Sequence, residues 1–242
     1  MLQETSIGVF KPTKFTLALL QPVFGEWINH LYDTTIPYFF KTPECLAQKG
    51  YKNPVDPADG AFQYTTGWKG DLFHYYDAHP REGESFNHVM GGVMALQAGW
   101  LDIFPHNTPL NPDTDLPLLV DVEGNVARIT AIGYSTTGAC AYYMHGMLHD
   151  WSDEPTRKIL EMQKGAMTPG YSTLLIHDYI APKALAHLHT TAYDLTMMVM
   201  VAGEERTESH WRELLKSADY EVVRIWRSPL AVQGIIEAEI AK

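Results

Sequence analysis

The stretch Met144–Pro182, MHGMLHDWSDEPTRKILEMQKGAMTPGYSTLLIHDYIAP, decides the fold. Its left end closes an apolar run of strand length, ACAYYMHGML (139–148), and its right part carries a second, STLLIHDYI (172–180). Between them the apolar spacing predicts a helix from about Glu154 to Met167. Ser152 or Asp153 can cap its free amides, and Pro155 sits in the first turn, where a missing N–H leaves no bond unmade. A strand, a helix and a strand in this order imply a parallel crossover, and hence an α/β sheet.

Working outward, the alternation continues on the C-terminal side. Helices are expected near 186–202 and, opening at Thr207, near 208–218. YEVVRIWR and VQGIIEAEI follow, joined by the short turn SPLA, and read as an antiparallel strand pair. On the N-terminal side LPLLVDV (116–122) reads as a further strand, preceded by the proline-rich loop 105–117. Before that loop the chain reads as helical. Ser85 can cap a helix whose buried face is Phe86, Val89, Met90, Val93, Met94, Leu96, Trp100 and Leu101, and Gly91 and Gly92 would admit a neighbouring element closely. Residues 41–84, broken by prolines, allow only short helical turns, and Lys14–Leu31 reads as one helix kinked at Pro22 or as two. The expected division is a helical region over 1–110 and an α/β domain over 111–242.

Composition narrows the partners. With 18 basic and 29 acidic residues the formal charge is −11, which repels phosphate backbones and anionic lipid surfaces, so neither nucleic acid nor a membrane is expected as a partner. No apolar run approaches the roughly 20 residues that cross a bilayer, and the first residues do not read as a secretion signal. Cys45 and Cys140 are too few for a disulfide framework and read as reduced thiols of a cytoplasmic protein. The pairs His145/His149 and His187/His189 have spacings that bind metals in other settings, but without the glutamate of an HExxH motif no metal is expected.

The run HDW before a capped helix, the strand ending in Asp178, the loop GEERT (203–207) and the closing strand pair together resemble the catalytic region of the class I plant and fungal small-molecule O-methyltransferases. The resemblance covers most of residues 85–242 and, more loosely, 10–84. It implies a Rossmann-like methyltransferase sheet and a natural-product substrate. It places His149 as the base that removes the acceptor's proton, a role suited to an imidazole near neutral pH. Asp178 and Glu205 would flank and orient that ring, although the family often has the longer Glu at the first of these positions. Met90, Met94 and Gln97 on one helix and Met198 on another would line the acceptor pocket.

The same family binds S-adenosylmethionine on a glycine-rich turn after the first strand and on a carboxylate ending the second. Here the turn reads LLVDVEGNVARI: Asp121 is in place, but Gly124 is the one glycine left, and Glu123 stands where another glycine is expected. Only residues 122–148 separate Asp121 from His149, and a single βαβ unit takes about 30 residues. Two further helix–strand units cannot fit. The sheet is therefore expected to lack its edge strands 2 and 3, a loss that peels an edge without interrupting the middle. The exposed edge would favour pairing with another copy or a homologue. The resulting expectation is a methyltransferase-like enzyme without a cofactor, using its retained pocket and His149 for cyclisation, isomerisation or a pericyclic step on a polyketide-like molecule. The alternatives are an S-adenosylmethionine-dependent O-methyltransferase and a non-catalytic binding remnant.

Overall fold

A computed structural model of the protein describes residues 2–94, 98–105, 118–122, 137–229 and 231–242. Two compact units result: Met1–Lys52 with Ala58–Gln97, and Asn53–Pro57 with Ala98–Lys242.

The first unit opens with a hairpin of β1 (Leu2–Ser6) and β2 (Val9–Pro12), which no sequence pattern announced. The stretch Lys14–Leu31 forms two helices, α1 (Lys14–Ala18) and α2 (Pro22–His30), with Pro22 in the first turn of the second. Then come α3 (Ile36–Gln48), α4 (Ala61–Thr66), α5 (Leu72–Ala78) and α6 (Pro80–Met94). Residues 41–84 thus hold more helix than their prolines suggest, with Pro43 inside α3. Helix α6 begins at Pro80, not at Ser85; proline needs no N–H partner at a helix start, and the Ser85 hydroxyl donates to Glu26 O at 3.4 Å instead of capping. The expected close approach occurs at Gly92, where a Cβ would lie 2.5 Å from Val23 Cγ2 of α2. The expected helix also does not reach Leu101: Trp100–Ile103 forms a separate turn, α7, in the second unit.

The second unit contains the predicted sheet. Strands β3 (Leu119–Asp121), β4 (Ala141–His145) and β5 (Thr173–Tyr179) are parallel. Helix α8 (Asp153–Lys164) makes the crossover from β4 to β5. Helices α9 (Leu188–Val201) and α10 (Glu208–Ser217) lead to β6 (Tyr220–Arg227) and β7 (Gln233–Ile240). The order is β3-β4-β5-β7-β6, with β7 antiparallel to both of its neighbours. Among the described residues nothing pairs with the outer edge of β3.

Alternation along the strands splits their side chains between two faces. Tyr142, Met144, Leu174, Ile176 and Ile236 meet Ile159 and Leu160 of α8 and Trp211, Leu214 and Leu215 of α10 in the main core. Ala141, Tyr143, Leu175 and Ile235 pack on the other side with Ile103 and Phe104. Burial of this apolar surface, at about 25 cal/mol per Å², fixes the carboxyl ends of β4 and β5, where the polar residues cluster. Both cysteines are buried and free, and no described helix is long and apolar enough to cross a membrane.

Candidate active site

His149 lies in a 3-10 turn, Leu148–Asp150, directly after β4. Asp178 is near the end of the adjacent β5, and Glu205 comes from the loop between α9 and α10. The structure brings all three together, although Glu205 is 56 residues from His149 in sequence. His149 Nδ1 is 2.8 Å from Glu205 Oε1, a hydrogen bond, and 3.5 Å from Asp178 Oδ1, an ion-pair contact. The shorter aspartate side chain stops just short of the ring and turns the same oxygen to its own chain, accepting from Tyr179 N at 2.8 Å. The Tyr179 ring lies nearly parallel to the imidazole, at 6.3 Å.

Sequence reasoning missed Asp150, whose Oδ1 is 3.7 Å from the opposite ring nitrogen, Nε2. It also missed Asp194 of α9, which accepts from Glu205 N at 2.9 Å. Asp150 sits inside the HDW run itself, so proximity to His149 was the available signal.

The surroundings set the charge. Burial works against a charged His149, but Asp178, Glu205 with its hydrogen bond, and Asp150 outweigh it and hold the imidazole well above 6.5. Burial pushes Glu205 up to about 6 against the pull of His149, with Asp178 and Asp194 adding to the push. Burial likewise raises Asp150 to about 6. Asp178 Oδ2 and Glu205 Oε2 are buried without a hydrogen-bond partner among the described residues. Such a group can give a proton from Nε2 and take it back, its positive charge held by carboxylates behind it.

The other predicted positions are more scattered. Met198 is half-buried on α9 in the same unit as His149. Met90 is half-buried on α6 in the first unit, and Met94 ends that helix. Asp121 is the exposed last residue of β3, while Gln97 and Gly124 lie outside the described residues. The histidine pairs have structural uses. His145 ends β4, stacks on His177 at 4.1 Å and contacts Gln233 Oε1 at 3.2 Å, so it shares no helix face with His149. His187 caps α9 through the His189 amide.

Residues 85–221 match the model of the O-methyltransferase domain family. The O-methyltransferase mfmE of Annulohypoxylon moriforme is 61% identical, over 99% of this chain and 70% of that protein. This chain belongs to the O-methyltransferase family. Its alignment with mfmE runs over 280 positions against the 242 residues of this member, so the relative carries positions that this member lacks. Among solved structures, LepI in complex with SAM superposes with a TM-score of 0.85 at 21% identity, covering 99% of this family member and 73% of LepI. A chain described as a pericyclic reaction enzyme gives 0.81 at 20%, with the same coverage. These likenesses establish a methyltransferase fold.

Proposed function

We propose that this O-methyltransferase-family chain is an enzyme of natural-product metabolism that rearranges a small polyketide-like molecule by cyclisation, isomerisation or a pericyclic step, with no methyl transfer and no metal. One observation carries the reading: His149, Asp178 and Glu205 meet, while the sheet runs from β4 to β3, the outermost strand among the described residues, across a connection, 122–140, too short for another helix–strand unit. The family's ribose-binding carboxylate stands at the end of a strand for which this connection has no room. Asp121 alone does not make up that donor set, and the residues do not fit S-adenosylmethionine in the family's manner. No step is therefore routed through it.

In this reading a substrate carbonyl or hydroxyl oxygen meets Nε2 of the charged His149. Donation of that proton stabilises the negative charge that grows on the oxygen as bonds rearrange, and the neutral ring later recovers a proton from the substrate. Glu205 fixes the ring through Nδ1, and Met198 supplies an apolar wall. A hydrophobic site that orients its substrate needs little else for such a step.

A second reading, O-methylation of a phenolic or polyketide hydroxyl, is favoured by the 61% identity to a protein named as an O-methyltransferase. Product mass separates the two. Incubated with candidate polyketides and S-adenosylmethionine, the enzyme is expected to yield a product isomeric with, or dehydrated from, its substrate whether or not S-adenosylmethionine is present. A product heavier by one methylene, formed only with S-adenosylmethionine, establishes the second reading instead.

A further inference from the structure

The loop that supplies Glu205 does more than contact the His149 ring. Its neighbours on both sides grip the backbone of the turn that carries His149. The Glu204 amide donates to His149 O at 2.9 Å. Gly203 lies so close that a Cβ there would run into His149 O and come within 2.8 Å of the Asp150 carbonyl carbon. Arg206 completes the grip. Its guanidinium is fully buried and donates from Nη1 to Leu148 O at 3.0 Å and from Nη2 to Trp151 O at 2.6 Å, the carbonyls on either side of His149–Asp150. Nε donates to Asp153 Oδ1 at 2.9 Å, Nη2 also reaches Glu204 Oε1 at 3.2 Å, and the guanidinium carbon lies 5.2 Å from the centre of the Trp211 ring.

We infer that Arg206 is a positioning residue for His149, its planar fork spanning the Leu148 and Trp151 carbonyls and so fixing the imidazole against Glu205 and Asp178. An arginine suits this task because Nη1 and Nη2 present their donors from two nitrogens of one rigid plane, one to each carbonyl, whereas a lysine ammonium offers all its donors from a single nitrogen. Salt bridging alone does not account for the placement. Asp153 and Glu204 are both partly exposed, and an ion pair with them could form at the surface, whereas the two carbonyl bonds require the guanidinium inside.

The inference rests on the reading of His149 as the proton-transfer group, but its test reads geometry and not turnover, so either can fail alone. Among the described residues, the charged and titratable groups facing His149 are Asp178 and Tyr179 from β5, Glu205 from the loop, Asp150 from its own turn and, behind Glu205, Asp194 from α9. The His149 ring is titrated by NMR, assigned against His149→Ala, in wild type, Arg206→Lys and Asp153→Asn. Lysine keeps the charge but not the span, so a change reports position. The His149 midpoint is expected to fall by about one pH unit or more in Arg206→Lys, as the ring draws away from its carboxylates, and by less in the same direction in Asp153→Asn, whose half-exposed site lets the variant fold. Tyr220→Phe, which removes a buried hydroxyl bonded to Leu160 O at 3.0 Å, is the structural control and should leave the midpoint unmoved. A His149 midpoint equal to wild type in the folded Arg206 or Asp153 variant overturns the assignment, as does an equal fall in Tyr220→Phe.

Discussion

Replacing His149 by alanine is expected to lower turnover by about a hundred- to ten-thousand-fold, the range lost when a positioned acid–base group is removed. The variant should still fold, because burial already holds the Glu205 carboxyl up at about 6, so this group can take up a proton once its counter-ion is gone. Its stability deficit has a definite dependence on pH. The folded-state value of His149 is raised, so its contribution is fully present below the unfolded value of about 6.5 and is lost as pH rises through the folded value. Denaturant midpoints of wild type and His149→Ala should therefore lie furthest apart on the acid side and converge at alkaline pH, while progress curves record the loss of rate. Turnover equal to wild type removes His149 from the reaction.

Gly203→Ala should cost about 1–3 kcal/mol of stability together with a roughly hundredfold loss of rate. The added methyl would collide with His149 O and crowd the Asp150 carbonyl carbon, both of them backbone, so no flexible side chain can yield. Either the loop 202–206 or the turn 148–150 must move, and each movement lengthens the 2.8 Å bond between Glu205 and His149. Denaturant unfolding measures the first effect and the rate constant of the bound complex the second. A variant as stable and as fast as wild type shows that the loop does not clasp the turn.

The parts of this fold that could be read from the sequence were those fixed by local patterns. The unit β4-α8-β5 was legible because apolar strand runs and a proline in the helix's first turn are signals carried within a few residues, and Thr207 does cap α10 through the His210 amide. The meeting of His149, Asp178 and Glu205 was legible only through the family pattern, since no local rule joins residues so far apart. The hairpin β1-β2 was not legible because every residue in it is exposed, which leaves no alternation of buried and open positions to read. Gly203 and Arg206 were seen only as members of the GEERT loop. Their contacts are with backbone carbonyls of a distant turn, and a carbonyl carries no residue identity that a sequence could reveal. Asp150 was overlooked for another reason: a carboxylate beside a histidine in sequence is common, and only the geometry places it at the second ring nitrogen.

On the proposed function, this member of a family built to move methyl groups keeps a proton-transfer centre and has given up the cofactor. Calorimetric titration of the full chain with S-adenosylmethionine, and separately with S-adenosylhomocysteine, tests it most directly. No saturable heat is expected for either ligand at micromolar concentrations. Saturable, stoichiometric binding of S-adenosylmethionine in the micromolar range contradicts it.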